Sequence, residues 1–217
     1  MYETVVFDLD GTLLDTLDDL WAAVNAALSF YGLKERSKDE VRAFVGNGIA
    51  KLMERAIGME SFPHFDEALE KFKRYYAAHC KDKTKPYANI LELLKTLQAR
   101  QIKTAVVSNK ADFAVKILAD EYFGSLLLGA VGENEVAGIR KKPAPDSLLA
   151  VMEELGAKKE TTVYVGDSEV DIQTANNASL ACVSVTWGFK DERFLVENGA
   201  TILARTPQEI LQKIEVE

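Results

Sequence analysis

Cysteine is scarce: Cys80 and Cys182 are the only two in 217 residues. They lie far apart and match no metal-ligand spacing, so the expectation is two reduced thiols in a cytoplasmic protein. Long apolar runs are missing too. No segment approaches the roughly 20 apolar residues that a membrane helix needs, and the first residues run straight into a strand pattern without a basic, apolar leader. Positive charge is in deficit, with 26 Lys and Arg against 34 Asp and Glu and a formal net charge of −8. That balance argues against a nucleic-acid backbone or an anionic membrane as the main partner. Repeats and low-complexity segments are absent. What remains is an ordinary globular composition, 47% hydrophobic and 28% charged, long enough for one large domain or two small ones.

The most informative segment comes first. Val5-Val6-Phe7-Asp8-Leu9-Asp10-Gly11-Thr12 is a β-branched, apolar run that ends in two carboxylates one residue apart. A continuous apolar run suits a strand buried on both faces of a parallel sheet. Asp8 then falls at the carboxyl end of that strand, where open α/β sheets place their ligand sites. Gly11 permits a tight turn. Two neighbouring carboxylates repel unless a cation or a shared proton relieves them, and magnesium takes such oxygen ligands. Taken alone, Asp-Leu-Asp-Gly-Thr reads equally well as an acidic β-turn.

From about Lys103, strands at Thr104–Val107, Leu126–Val131, Thr162–Val165, Cys182–Val185 and Ala200–Leu203 alternate with helices near Asp112–Glu121, Pro145–Leu155, Asp171–Ala178 and Pro207–Ile214. With Tyr2–Phe7 as a further strand, this alternation predicts an α/β fold with a doubly wound parallel sheet. Residues 16–85 break the pattern. Leu17–Tyr31, Lys38–Phe44, Gly48–Ile57 and Asp66–His79 are all helical in periodicity, which predicts an all-helical domain inserted after the first strand. The core is then residues 1–15 and 86–217, with Leu91–Ala99 as a helix leading back into the sheet.

Three more strand ends carry chemistry. Val107 is followed by Ser108-Asn109-Lys110, a hydroxyl, an amide and a cation; Ser108 can donate its hydroxyl to a phosphoryl oxygen, helped by the backbone N–H groups after it, or Ser-Asn can simply turn the chain or cap a helix. Lys141-Lys142-Pro143-Ala144-Pro145-Asp146 precedes a helix, where paired lysines are ordinarily solvated charge. Val163-Tyr164-Val165-Gly166-Asp167-Ser168-Glu169-Val170-Asp171 again ends a strand in an acid, with a second acid about one helical turn later.

In this order and at these strand ends, the four segments resemble the motifs of the haloacid dehalogenase superfamily: Asp-x-Asp-Gly-Thr, a Ser or Thr ending the second core strand, Lys-Pro-x-Pro-Asp, and Gly-Asp-Ser-x-x-Asp. The resemblance implies a Rossmann-like fold of that superfamily with a helical cap. It also implies a magnesium-dependent phosphatase acting on a small phosphorylated metabolite, as a monomer or homodimer. Asp8 maps to the nucleophile and Asp10 to the acid and base. Ser108 and Lys142 map to the phosphoryl-binding pair, with Thr12 and Asn109 beside the substrate. Asp8, Asp10 through its carbonyl, Asp167 and Asp171 map to the metal, Asp171 either ligating or orienting. Asp10 argues against the superfamily's dehalogenases. Ser179 departs from the pattern, standing where Gly is common, and Leu17 replaces a Pro.

Within the insertion, Val41-Arg42-Ala43-Phe44-Val45-Gly46-Asn47-Gly48 resembles the cap of phosphoglycolate phosphatases. That likeness implies substrate contacts from Gly46, Asn47 and Gly48, and an Arg42 pairing with a substrate carboxylate. Phosphoglycolate is the leading substrate expectation. The alternatives are another small phosphate (pyrophosphate, a nucleotide or a sugar phosphate), a phosphomutase, or a regulatory protein on an inactive scaffold.

Overall fold

The computed structural model describes residues 1–59, 61–134 and 138–215. Six parallel strands form one sheet in the order β5-β4-β1-β6-β7-β8. They are β1 (Thr4–Phe7), β4 (Lys103–Ala111), β5 (Gly129–Glu133), β6 (Thr162–Gly166), β7 (Ala181–Val185) and β8 (Ile202–Ala204). The order reverses at β1, which pairs with β4 on one side and β6 on the other, Phe7 lying opposite both Val106 and Val165. A crevice opens beyond the carboxyl ends of strands at such a switch point.

Alternation along the strands divides the core. Val6, Ala105, Val107 and Tyr164 pack with Leu148, Val151 and Ala175 of the helices α7 (Asp146–Glu154) and α8 (Glu169–Ala178). Val5, Phe7, Val106, Val163 and Val165 face the opposite way. There they meet α5 (Ile90–Ala99), α6 (Asp112–Tyr122) and α10 (Pro207–Glu215) through residues such as Leu94, Leu118 and Ile210. Both faces are therefore covered, which is why the strand sequences show no polar alternation.

The inserted segment is helical throughout: α1 (Leu17–Phe30), α2 (Lys38–Phe44), α3 (Ile49–Ile57) and α4 (Phe65–His79). The sequence Ser37-x-x-Glu40 opens α2 as a capping box, a reciprocal satisfaction of free N–H groups. The helices share an apolar interior through Leu20, Val24, Met53 and Phe72. Its two connections to the sheet are joined by a ribbon the sequence did not reveal. β2 (Leu14–Asp15) pairs antiparallel with β3 (Lys85–Pro86), Asp15 opposite Lys85. The buried Asp19 carboxylate of α1 fastens the exit strand by accepting from the Lys83 and Thr84 N–H groups at 3.1 and 2.8 Å. The expected boundaries at 15/16 and 85/86 fall on this ribbon.

Several elements differ from expectation. Gly124–Leu126 is a 3₁₀ turn and β5 begins only at Gly129, because an apolar Leu-Leu-Leu run does not distinguish a strand from the turn feeding it. β4 continues through Ser108, Asn109 and Lys110 to Ala111 with a register shift after Val107, so these polar residues stand on a strand extension. β8 lies one to two residues late. The helix α9 (Glu192–Glu197), capped by the Asp191 side chain at 2.8 Å, was not anticipated. Among the described residues no helix is long and apolar enough to cross a membrane.

Ser179, the noted departure, ends α8 in the left-handed conformation with φ 61°. An L residue pays there a cost that Gly avoids. Ser179→Gly is therefore expected to stabilise the fold by about 1 kcal/mol, roughly 2–4 °C in melting temperature for a chain of this size. Calorimetry checks this; an unchanged or lower melting temperature refutes it.

Candidate active site

Asp8 extends β1 by one residue, donating its N–H to the Val165 carbonyl at 2.8 Å. It thus sits at the sheet's switch point. The chain then doubles back, with the Leu13 and Leu14 N–H groups both donating to the Leu9 carbonyl at 3.0 Å, and Gly11 turns with φ +85°. A side chain on Gly11 would collide with the Asp167 carboxylate, so this glycine permits a close approach as well as a turn. On the adjacent strand β6, Asp167 follows Gly166 and is almost wholly buried. Its Oδ2 accepts from the Phe189 N–H at 2.6 Å, and Gly188 beside it leaves no room for a Cβ against the same carboxylate.

Lys142 is the hub. Its buried ammonium donates to Asp8 Oδ1 at 2.8 Å, Asp171 Oδ1 at 2.7 Å and the Tyr164 hydroxyl at 3.0 Å, using all three of its protons. Asp171 is equally committed. Its Oδ2 accepts from the Ser168 hydroxyl at 2.6 Å and from the Asp167 and Ser168 N–H groups. Carboxylate oxygens of Asp8, Asp167 and Asp171 lie within 4.8 Å of one another. Burial raises the Asp8 carboxyl to about 6; Lys142 opposes that rise and Asp171 adds to it. Burial, with Asp171 and Asp8, pushes Asp167 well above the usual carboxylate range. One lysine does not neutralise three buried acids.

A second ion pair stands beside the first. Lys110, also buried, donates to both oxygens of Asp10 at 2.8 and 3.1 Å. The Thr16 hydroxyl, at the entry to α1, donates to Asp10 Oδ1 at 2.6 Å. Asp8, Asp10, Ser108, Lys110, Lys142 and Asp167 wall a cleft of about 590 Å³, mouth included, which Gly46 and Gly48 of the loop between α2 and α3 also line. Asn109 joins the two parts. Its amide nitrogen donates to the carbonyls of Lys142 and Gly46 at 2.9 and 3.1 Å, and its Oδ1 accepts from the Lys142 N–H at 2.8 Å.

This arrangement of acids and lysine at adjacent parallel strand ends agrees with comparisons of the whole chain. Residues 5–185 match the model of the haloacid dehalogenase-like hydrolases. The chain belongs to that family. A phosphoglycolate phosphatase of Pseudomonas syringae pv. syringae is 34% identical over 207 residues, covering 92% of this chain and 75% of its own. One from Neisseria meningitidis is 36% identical over 209 residues, covering 92% and 86%. Among solved structures, one from Lactobacillus delbrueckii subsp. bulgaricus, described as a candidate phosphoglycolate phosphatase, superposes with a TM-score of 0.92 at 36% identity, covering 100% of this chain and 99% of that one. A haloacid dehalogenase-like hydrolase from Streptococcus pneumoniae shares the fold, with a TM-score of 0.87 at 20% identity and 99% coverage of both chains. This hydrolase therefore resembles the phosphatases of its family.

The hydrolase brings Asp8, Asp10, Ser108, Lys142 and Asp167 to one cleft, with Gly46, Gly48 and Asn109 on its wall. Four expected residues stand differently. Asn109 was expected to bind substrate, but its carboxamide is taken up by backbone groups. Thr12 is fully buried away from the cleft wall, its carbonyl accepting from the Trp187 indole at 3.1 Å. Arg42 is exposed in the last turn of α2, and neither it nor Asn47 lines the cleft. The reason is local: α2 ends at Phe44, and the loop after it presents Val45, Gly46 and Gly48 to the cleft.

Sequence reasoning gave no role to Lys110, Tyr164, Phe189 or Lys190, all of which touch the site. Tyr164 left a signal, being a polar-tipped side chain between Val163 and Val165 in β6. Lys190, on the loop after β7, left none.

Proposed function

We propose that this hydrolase cleaves small phosphomonoesters through an aspartyl-phosphate on Asp8, with phosphoglycolate as the preferred substrate. The observation that carries the reading is the position of Lys142, bonded at once to Asp8 and Asp171 at the sheet's switch point. A lysine there fixes the nucleophile's carboxylate and offers positive charge where a phosphoryl group arrives. In the first half-reaction an Asp8 oxygen bonds to phosphorus as the bond to the leaving oxygen breaks, and Asp10 gives that oxygen a proton. In the second, Asp10 takes a proton from water, the water oxygen bonds to phosphorus, and the Asp8–phosphorus bond breaks to release phosphate. Ser108 stands on the β4 extension at the cleft wall, where its hydroxyl can donate to a phosphoryl oxygen.

The residues suit magnesium. An all-oxygen set of three clustered, buried carboxylates, of which Asp8 and Asp167 have raised proton affinity, is under-compensated by a single ammonium, and a hard cation relieves that imbalance. Asp8, Asp167 and the Asp10 carbonyl would hold it. Asp171, whose oxygens are engaged by Lys142 and the turn above α8, would orient the set. Bound magnesium supplies charge to the transferring phosphoryl oxygens.

The substrate reading rests on relatives named phosphoglycolate phosphatases and on a cleft lined in part by Gly46 and Gly48 of the inserted segment. With Arg42 off the wall, Lys190 is the lining cation suited to a substrate carboxylate. A panel of phosphorylated metabolites with magnesium tests this. We expect the kcat/KM for phosphoglycolate to exceed those for pyrophosphate, nucleoside monophosphates and sugar phosphates by at least about tenfold, the scale of one well-placed polar contact. A better kcat/KM on any of these would replace the substrate while leaving the chemistry.

A further inference from the structure

Lys110 is the residue whose placement the half-reactions above leave unused. It is 4% exposed, deeper than Asp10, and burying an ammonium is costly unless it is paired and bonded. Its partners come from three parts of the fold. Asp10 follows β1 and presents both carboxylate oxygens to Lys110 Nζ. Thr16 at the start of the inserted segment holds the same Asp10 carboxylate. Tyr76 of α4 lays its ring 4.6 Å from Lys110 Nζ, within cation–π range, and is itself stacked on Phe72 at 5.6 Å.

From this geometry we infer that Lys110 is a positioning residue for Asp10 in the second half-reaction, and that the helical insertion supports it through Tyr76. Lys110 donates to both Asp10 oxygens and Thr16 to one of them, so the carboxylate left once Asp10 has protonated the leaving group is held in one orientation. That carboxylate must then be aimed at the water that breaks the Asp8–phosphorus bond. Lys110 fixes its rotamer from the sheet side, and Tyr76 keeps Lys110 in place from above. The inference rests on the aspartyl-phosphate reading, and its test separates the two.

With p-nitrophenyl phosphate, whose leaving group departs without a proton, the first half-reaction does not need Asp10. Lys110→Met is expected to lower kcat about 30- to 100-fold, within the range of a mispositioned acid–base group. KM should fall in parallel, so that kcat/KM stays within about threefold. Acid-quenched enzyme should then carry covalent phosphate on Asp8 in the steady state, detected by intact-mass spectrometry. Tyr76→Leu should shift the same quantities in the same direction by a smaller factor, and it carries the test if Lys110→Met does not fold. Asp10→Asn is the reference and should accumulate the phosphoenzyme most strongly. Accumulation in Asp10→Asn but not in Lys110→Met or Tyr76→Leu, with kcat and kcat/KM falling together, overturns the role of Lys110 alone. No phosphoenzyme in any variant overturns the aspartyl-phosphate reading, and the role of Lys110 with it.

Discussion

Asp8→Asn is expected to leave a folded protein with turnover reduced by at least about 10⁴-fold, the scale on which a nucleophile's loss is felt. Asn matches Asp in shape, so its side-chain oxygen can still accept from Lys142, which donates to Asp8 at 2.8 Å. It also removes a charge that burial disfavours, since the Asp8 carboxyl is pushed up to about 6. The fold should therefore survive, and circular dichroism with calorimetry will show whether it does. What vanishes is the oxygen nucleophile: a carboxamide does not form the acyl-phosphate. The assay is p-nitrophenyl phosphate hydrolysis with magnesium, and the variant's mass after substrate should show no added phosphate. Retention of a tenth of the wild-type rate would remove Asp8 from the reaction.

Chelation is expected to be as severe. EDTA should abolish turnover and magnesium should restore it, with calcium a poor replacement because its longer, looser coordination misplaces the phosphoryl group. Asp8 and Asp167 both hold protons more tightly than ordinary carboxylates, chiefly through burial. Protons therefore compete with the metal, and apparent magnesium affinity should weaken as pH falls toward and below about 6, the region of the Asp8 carboxyl. Isothermal titration at several pH values measures this directly and should show protons released on binding. Asp167→Ala should weaken the affinity at every pH. Full activity in chelator would remove the metal from the mechanism.

Each strand-end motif in the sequence marks a place where the backbone itself delivers the side chain. Asp8 after β1 and Asp167 after β6 are adjacent because parallel strands paired side by side end at the same edge. The identity of the neighbours follows from strand order, which Val5–Phe7 and Val163–Val165 do not encode locally. Helical periodicity in Leu17–Phe30 and Ile49–Ile57 likewise gave the insertion its character, since an amphipathic stripe is a local property. The boundary errors at β5 and β8 lie where short apolar runs carry no period to read.

The sequence by itself determined the fold class, the inserted helices and the four motif segments, three at strand ends and the Lys142 segment just ahead of α7, because each depends on residues close together in the chain. Tertiary structure alone decided the partnerships. Lys142 meets Asp8 across 134 positions, and Lys110 meets Asp10 across 100. Asn109 is spent on backbone carbonyls, and Arg42 is left outside the cleft that Gly46 and Gly48 line. The physical reason is reach: a side chain's charge and hydrogen bonds act over a few ångströms, and which groups come that close is fixed by strand order and helix packing.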